Sequence, residues 1–376
     1  MTLTDSLKIV CVVGARPNFM KIAPLMRAFS REPGIKTTLV HTGQHYDEAM
    51  KASFFEQLDI PQPDVDLEVG SASHAVQTAE IMKRFEPEME RLSTGAVLVV
   101  GDVNSTIACA LVAAKRGVPV IHVEAGLRSY DRGMPEEINR VLTDQLSDLL
   151  FTTERDAQQN LEREGIDAAR IRFVGNVMID TLLHNRKRCP EPGQVFAAFS
   201  VTERFSGSRG YGMLTLHRPS NVDDPQVLRS LLETIGDLSR SLPLLFPAHP
   251  RTRARIEAAG LGRILGEDVV LLPPLAYLDM LALMSGARVL LTDSGGIQEE
   301  TTALGVPCIT LRENTERPIT VTAGTNSIVG TDPTLIRELF HEILTTGGKA
   351  GQMPELWDGR AAERIAADIV RWATDG

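Results

Sequence analysis

Three acidic side chains stand where a folded chain would present them to a ligand, two after apolar runs and one at a helix start. Residues 96–100 read as a buried strand, and Asp102 follows it in the turn Gly-Asp-Val-Asn-Ser-Thr. A second apolar run, 118–123, ends in Glu124. Glu136 follows Pro135, a residue suited to the first position of a helix, where the helix dipole favours an anion. Carboxylates set around one substrate can take and give protons on two of its faces, provided their surroundings tune them. Structural roles compete at two of the positions. Asp102 or Asn104 is a normal N-cap for the helix predicted over 105–116. Glu136 and Arg140, four residues apart on a helix, can form a surface pair. Glu124 needs a partner in any case, because a bare carboxylate is costly at the end of a buried strand.

A second set of residues suits an anion. Arg16 and Lys21 follow the apolar run 7–13 at a strand-to-helix turn with free backbone N–H groups. Residues 293–300, Asp-Ser-Gly-Gly-Ile-Gln-Glu-Glu, follow another buried strand. There Ser294, Gly295 and Gly296 would let a diphosphate approach a helix start closely. Glu299 and Glu300 lie one turn into that helix, placed to accept from ribose hydroxyls. His217, Arg218, His249 and Arg317 are further cations at strand ends or loops. His41 and His45 have no carboxylate or cysteine cluster at metal spacing, which argues against a metal site.

These residues need a scaffold of strands and helices in alternation. Apolar runs at 7–13, 36–40, 96–100, 118–123, 149–153 and 171–174 alternate with helical patterns, which predicts a parallel sheet covered on both faces. The helix from Pro135 is expected to bury Ile138, Val141, Leu142 and Leu146. The helix over 74–92 is expected to break at Pro87. Two Pro/Gly/Ser-rich stretches near 189 and 205 mark a change of domain, after which the alternation restarts with strands at 211–216, 243–248, 269–272, 288–292 and 306–311. The predicted division is residues 1–175 plus 362–376 in one Rossmann-like domain and 176–361 in the other. The expected ligand site is the cleft between them.

Composition sets limits. A chain of 376 residues exceeds what one core supports, so two domains follow. Net charge is −10, which argues against non-specific nucleic-acid binding. No apolar run is long enough to span a membrane, and the first residues lack a signal peptide's basic start and apolar core. These features predict a cytoplasmic protein without a membrane partner. Cys11, Cys109 and Cys308 lie in apolar segments and Cys189 in a polar one. None has CxxC spacing, so free thiols are expected.

Six motifs in order, Gly-Ala-Arg-Pro-Asn-Phe-Met-Lys from 14, Thr-Gly-Gln-His-Tyr-Asp from 42, Gly-Asp-Val-Asn-Ser-Thr from 101, His-Val-Glu-Ala-Gly-Leu-Arg-Ser-Tyr-Asp from 122, Thr-Leu-His-Arg-Pro-Ser-Asn from 215, and Asp-Ser-Gly-Gly-Ile-Gln-Glu-Glu with its downstream Glu-Asn-Thr-Glu-Arg-Pro, resemble the non-hydrolysing UDP-N-acetylglucosamine 2-epimerases. The resemblance runs from about Val10 to Gly330. It implies an α/β chain of GT-B fold, with two Rossmann-like parallel-sheet domains. The activity implied is interconversion of UDP-GlcNAc and UDP-ManNAc by a cytoplasmic homodimer serving polysaccharide biosynthesis, without metal or nicotinamide. It further implies Asp102, Glu124 and Glu136 as the acid/base set, and Arg16, His217, Ser294, Gly295 and Gly296 at the departing diphosphate. His217 joins the catalytic set there. Glu300 would hold the ribose, Lys21, Arg140 and Arg317 would support, and uracil would pack near residues 275–280, including Met280. The chain departs from many members at Asn18, where they carry Glu, at Leu-His-Arg-Pro-Ser-Asn, and at Thr-Gly-Gln-His-Tyr-Asp, which replaces a Gln-His-Arg-Glu-type loop linked in some members to activation by a second UDP-GlcNAc. Relatives acting on UDP-2,3-diacetamido uronic acids share several of these variants. A hydrolysing 2-epimerase releasing ManNAc, a GT-B glycosyltransferase and a non-catalytic UDP-sugar-binding module are the other readings.

Overall fold

Long apolar runs at the starts of α/β repeats force the strands to the interior, and two parallel sheets result. The structure is a computed structural model and describes residues 6–43 and 54–375, apart from the side chains of Arg16 and Asp375. The expectations at His45, and the start of the helix predicted over 47–58, lie outside the described residues; residues 54–57 are helical. The chain divides into two units, Met1–His184 with Glu355–Gly376, and Asn185–Pro354.

The first unit holds seven strands: β1 Leu7–Val13, β2 Ile35–His41, β3 Val65–Asp66, β4 Ala96–Val100, β5 Val120–Ala125, β6 Leu149–Thr152 and β7 Ile171–Phe173. Their order is β3-β2-β1-β4-β5-β6-β7, all parallel. The order reverses between β1 and β4. In an open α/β sheet, such a switch point is where strand ends leave room for a ligand. Val10, Val12, Val97 and Val99 pack beneath the helices His74–Arg91 and Asn104–Lys115 through Ile81, Phe85, Ala108 and Val112. The second unit repeats the plan with β8 Gly212–Thr215, β9 Leu244–Pro247, β10 Val269–Leu272, β11 Leu290–Thr292, β12 Cys308–Thr310 and β13 Asn326–Ile328. Its order, β10-β9-β8-β11-β12-β13, places a second switch point between β8 and β11. Its core joins Leu214, Phe246, Leu291 and Ile309 to Leu231, Ile235 and Phe340 from flanking helices.

Two expectations fail for physical reasons. The helix His74–Arg91 runs through Pro87 without a break. Pro87 is exposed, so the carbonyl that loses its intrahelical donor is on the water side. The helix Pro135–Leu146 turns its apolar stripe the other way. Ile138 and Leu142 are 42% and 49% exposed, and Val141 and Leu146 are half-buried. The inward residues are Glu137, Asn139, Arg140, Thr143 and Asp144. Each large aliphatic left outside forgoes about 1.5–3 kcal/mol of burial. Polar side chains inside outweigh this only where every charge finds a partner.

The C-terminal stretch belongs to the first unit through specific polar contacts. Trp357, 1% exposed, donates its indole N–H to Thr153 O. Asp180 accepts from the N–H groups of Ala361 and Ala362 at the start of the helix Ala361–Asp375. Burial pushes the Asp180 carboxyl up from 3.8 to about 6, against the opposing pull of those two N–H groups. A carboxyl raised in the folded state favours folding while protonated and loses that contribution as pH rises through its folded pKa. The shift corresponds to about 3 kcal/mol. Asp180→Asn does not titrate, so urea unfolding should show the wild type losing about 3 kcal/mol relative to this variant between about pH 4 and pH 7. A difference independent of pH would remove Asp180 from the charged cap.

Candidate active site

At the first switch point, three turns are tied together by side chains that arrive from distant positions. Asn18, 1% exposed, accepts from Gly14 N and Ala15 N and donates to Val100 O at 3.0 Å. A carboxylate could accept at that position but could not donate to Val100, so Asn18 joins the β1 turn to the end of β4 in a way Glu would not. Gly101 has φ +66, and a Cβ there would stand 2.5 Å from Lys21 Nζ. The glycine therefore makes room for the ammonium group. Lys21 Nζ lies 2.6 Å from Glu124 Oε1, and both side chains are buried.

Glu124 is the last residue but one of β5, inside the strand rather than after it as the apolar run suggested. Its φ is +73, in the left-handed region that side chains other than glycine avoid. The β5–β6 register shifts at the same place, between Val123 and Ala125. Such a bulge re-aims a side chain, and strain of this kind persists where the surroundings enforce it.

Asp102 does not cap the helix after it. The N-cap is Val103, with no side-chain cap bond. Asp102 instead pairs with Arg140 Nη1 at 2.5 Å. Arg140, 2% exposed, also holds Glu137 at 2.8 Å. The pair expected between Arg140 and Glu136 is replaced by this one. Glu137 further accepts from Ser129 N, Ser129 Oγ and Tyr130 N, so it braces the loop after β5. Partial burial would raise its carboxyl, but these N–H groups and the guanidinium hold it below the usual range. Glu136 is half-buried, and among the described residues no hydrogen bond or ion pair engages its carboxylate. The two neighbouring glutamates thus differ. Glu137 is spent on the scaffold, and Glu136 is open to a ligand.

Beneath these turns runs a buried chain of charges that the motif reading overlooked. His122 Nδ1 lies 2.7 Å from Asp144 Oδ1, and its Nε2 lies 2.9 Å from Gly101 O. Asp144 also accepts from Gly126 N and meets Arg128 at 2.7 Å, and Arg128 reaches Glu164 at 2.6 Å. Burial would raise the Asp144 carboxyl, but His122 and Arg128 hold it below its ordinary value. A histidine inside an apolar strand was the sequence signal for this network.

In the second unit, Asp293 ends β11 fully buried and organises the turn after β8. It accepts from His217 N and Arg218 N, from Asn221 Nδ2, and from the ring of His217, whose Nδ1 lies 2.9 Å away. The His217 side chain is 40% exposed. With Nδ1 turned to Asp293, Nε2 is the ring atom left for a ligand. Burial would raise Asp293, yet His217 and the two backbone N–H groups keep it below its ordinary value. Across the switch point, Ser294 precedes the helix Gly295–Leu304 and makes no side-chain cap bond. A Cβ on Gly295 would collide with Glu316 Oε1 and crowd Arg317 Nη1. Gly295 therefore leaves room for the Glu316 and Arg317 side chains against the helix start; Gly296, next to it, is half-buried. Arg317 is committed to Glu316 at 2.7 Å and Glu299 at 2.9 Å, and Glu316 also takes Arg312. Glu300 accepts from Tyr277 Oη at 3.0 Å. Its burial raises the carboxyl to about 7, with Tyr277 pulling the other way. Met280 is half-buried on the helix Tyr277–Gly286, one turn from Tyr277. Arg16 opens the helix Arg16–Phe29 at the β1 turn, and its side chain is outside the described set.

Residues 27–370 match the family model described as UDP-N-acetylglucosamine 2-epimerase. The chain belongs to that family. It is 40% identical over 363 residues to the UDP-N-acetylglucosamine 2-epimerase of Methanocaldococcus jannaschii, covering 96% of this chain and 98% of the relative. It is also 40% identical over 372 residues to the UDP-2,3-diacetamido-2,3-dideoxy-D-glucuronate 2-epimerase of Pseudomonas aeruginosa, covering 97% and 100%. Among solved structures, the M. jannaschii epimerase in complex with UDP-GlcNAc and UDP superposes with a TM-score of 0.88, covering 98% of this chain and all of that one. The Neisseria meningitidis epimerase bound to UDP-GlcNAc gives 0.88 at 30% identity, covering 97% and 100%. The two Rossmann-like parallel sheets are those of this GT-B epimerase fold, as the motifs implied.

The division between Glu136 and Glu137 predicts opposite phenotypes. Glu137→Ala takes from Arg140 one of its two carboxylate partners and leaves two backbone N–H groups without their acceptor, and breaking such a buried pair costs about 3–5 kcal/mol. Glu136→Ala breaks nothing. Thermal unfolding should show a large fall for the first and almost none for the second. Equal losses would mean that Glu136 is also part of the scaffold.

Proposed function

We propose that this epimerase is of the non-hydrolysing kind and interconverts UDP-GlcNAc and UDP-ManNAc through elimination and re-addition of UDP. The observation that carries the reading is the set of carboxylates in the first unit, two at strand ends held by buried cations and one at a helix start, Glu136, open. In the forward step, one carboxylate takes the proton from carbon 2 while the bond from carbon 1 to the UDP oxygen breaks, leaving 2-acetamidoglucal and UDP. In the return step, the UDP oxygen re-bonds carbon 1 and a proton reaches carbon 2 from the other face. Acids on two faces are what this requires, and Asp102, Glu124 and Glu136 are the residues assigned. The reaction is redox-neutral, so the reading calls on no nicotinamide.

The second unit supplies the anion grip in this reading. Backbone N–H groups at Ser294, Gly295 and Gly296, with His217, stabilise the departing diphosphate, and Arg16 of the first unit is the further cation assigned to it. Glu300 accepts from the ribose, and Met280 lies beside uracil. Lys21 and Arg140 act through Glu124 and Asp102, and Arg317 through the loop at Gly295. The protein works as a cytoplasmic homodimer in polysaccharide biosynthesis. No described helix is long and apolar enough to cross a membrane, and the outward Ile138 and Leu142 suit a partner copy. The 40% identity to the P. aeruginosa enzyme favours a second reading, in which the sugar is a UDP-2,3-diacetamido uronic acid.

Incubation with each UDP-sugar in heavy water separates the readings. The expected result is deuterium at carbon 2 of intact UDP-sugar and a mixture of the two epimers. Free ManNAc with UDP would indicate hydrolysis instead, and no change without an added acceptor would indicate a transferase. Incorporation only into the uronic acid substrate would select the second sugar. Asp102→Asn and Glu136→Gln should keep UDP affinity within a few-fold and lose most turnover. Calorimetry showing UDP binding abolished by either change would contradict their assignment.

A further inference from the structure

His122 links the turn carrying Asp102 to the turn carrying Glu124, directly at one end and through Asp144 at the other. Its Nε2 faces Gly101 O, the carbonyl before Asp102, at 2.9 Å. Its Nδ1 faces Asp144 at 2.7 Å, and Asp144 accepts at 3.1 Å from Gly126 N, two residues after Glu124. A carbonyl oxygen only accepts, so Nε2 carries a proton. The adjoining Arg128 guanidinium helps hold the Asp144 carboxyl below its ordinary value, and a carboxylate oxygen only accepts, so Nδ1 faces it as a donor and carries a proton as well. His122 and Asp144 are both fully buried. The charges alternate along the chain of contacts, His122, Asp144, Arg128, Glu164, and sum to zero, which is the condition for burying them together.

We infer that His122 is a buried imidazolium and a positioning residue for the epimerisation, because it fixes the Gly101–Asp102 turn and, through Asp144, the Glu124–Gly126 turn at one separation. The inference rests on the proposed acid/base roles of Asp102 and Glu124. Neutral imidazole has one N–H and can hold only one of the two turns. Lys21 and Arg140 pair with the carboxylates themselves, whereas His122 holds the backbone from which they project. Two acids that must reach opposite faces of one carbon depend on that separation, and small misplacements of catalytic groups have large effects on rate.

Two measurements test this. In protein labelled at the histidine ring nitrogens, NMR should show one ring, assigned by its loss in His122→Gln, with both nitrogens protonated at neutral pH. A ring with one bare nitrogen would overturn the inference. In kinetics, His122→Gln keeps a donor toward Gly101 O, and His122→Asn keeps one toward Asp144. Each should lower kcat about a hundredfold while KM and UDP affinity change less than about threefold, with the folded fraction confirmed by circular dichroism. Folded variants turning over at the wild-type kcat would overturn the positioning role. A wild type that exchanges no UDP-sugar would instead sink the proposed function, and the ring spectrum then decides the inference alone.

Discussion

An ionised side chain buried among strand ends and the helices beside them must find its counter-charge within the fold, and that constraint shapes both halves of this protein. Glu124 meets Lys21, Asp102 and Glu137 share Arg140, Asp144 lies between His122 and Arg128, and Asp293 takes His217 together with two backbone N–H groups. Left alone, each buried carboxylate would cost several kcal/mol and would protonate instead. Paired, each becomes a fixed point from which a turn is hung. The turns are therefore positioned by electrostatics, and the packing of apolar residues supplies only the platform.

The constraint explains why the helix Pro135–Leu146 lies as it does. Its inner face carries Glu137, Arg140 and Asp144, which between them brace the turns after β4 and β5. Turning Ile138 and Leu142 inward would bury two aliphatic side chains and leave those turns without partners. The strained φ of Glu124 has the same origin. The bulge at Val123–Ala125 and the Lys21 ammonium hold the carboxylate on one side, where a regular strand would not place it.

Much of the scaffold was legible from residue pattern alone. Continuous apolar runs located all the long strands, and the turn residues after them hold the Asp102, Glu124 and Ser-Gly-Gly positions on which the proposed mechanism relies. The short edge strands β3 and β13 escaped, because two or three residues carry no period. The inverted helix face escaped for a different reason. Periodicity weighs apolar residues only, while Arg140 and Asp144 are drawn inward by Asp102 and His122, 38 and 22 positions away in sequence. Glu136 was read beside Arg140 on helical spacing, but spacing cannot tell which of two adjacent glutamates a guanidinium will choose. Ser129 and Tyr130, which offer N–H groups to Glu137, decide it.

In the proposed mechanism one unit grips the diphosphate and the other moves a proton, and the bond from carbon 1 to the UDP oxygen breaks and re-forms. A UDP-sugar carrying heavy oxygen only in that bridge, recovered part-way to equilibrium, reads this directly. The account predicts that label moves into the non-bridging oxygens of the β-phosphate as the sugar epimerises. Epimerised sugar with all of its label still in the bridge would contradict it.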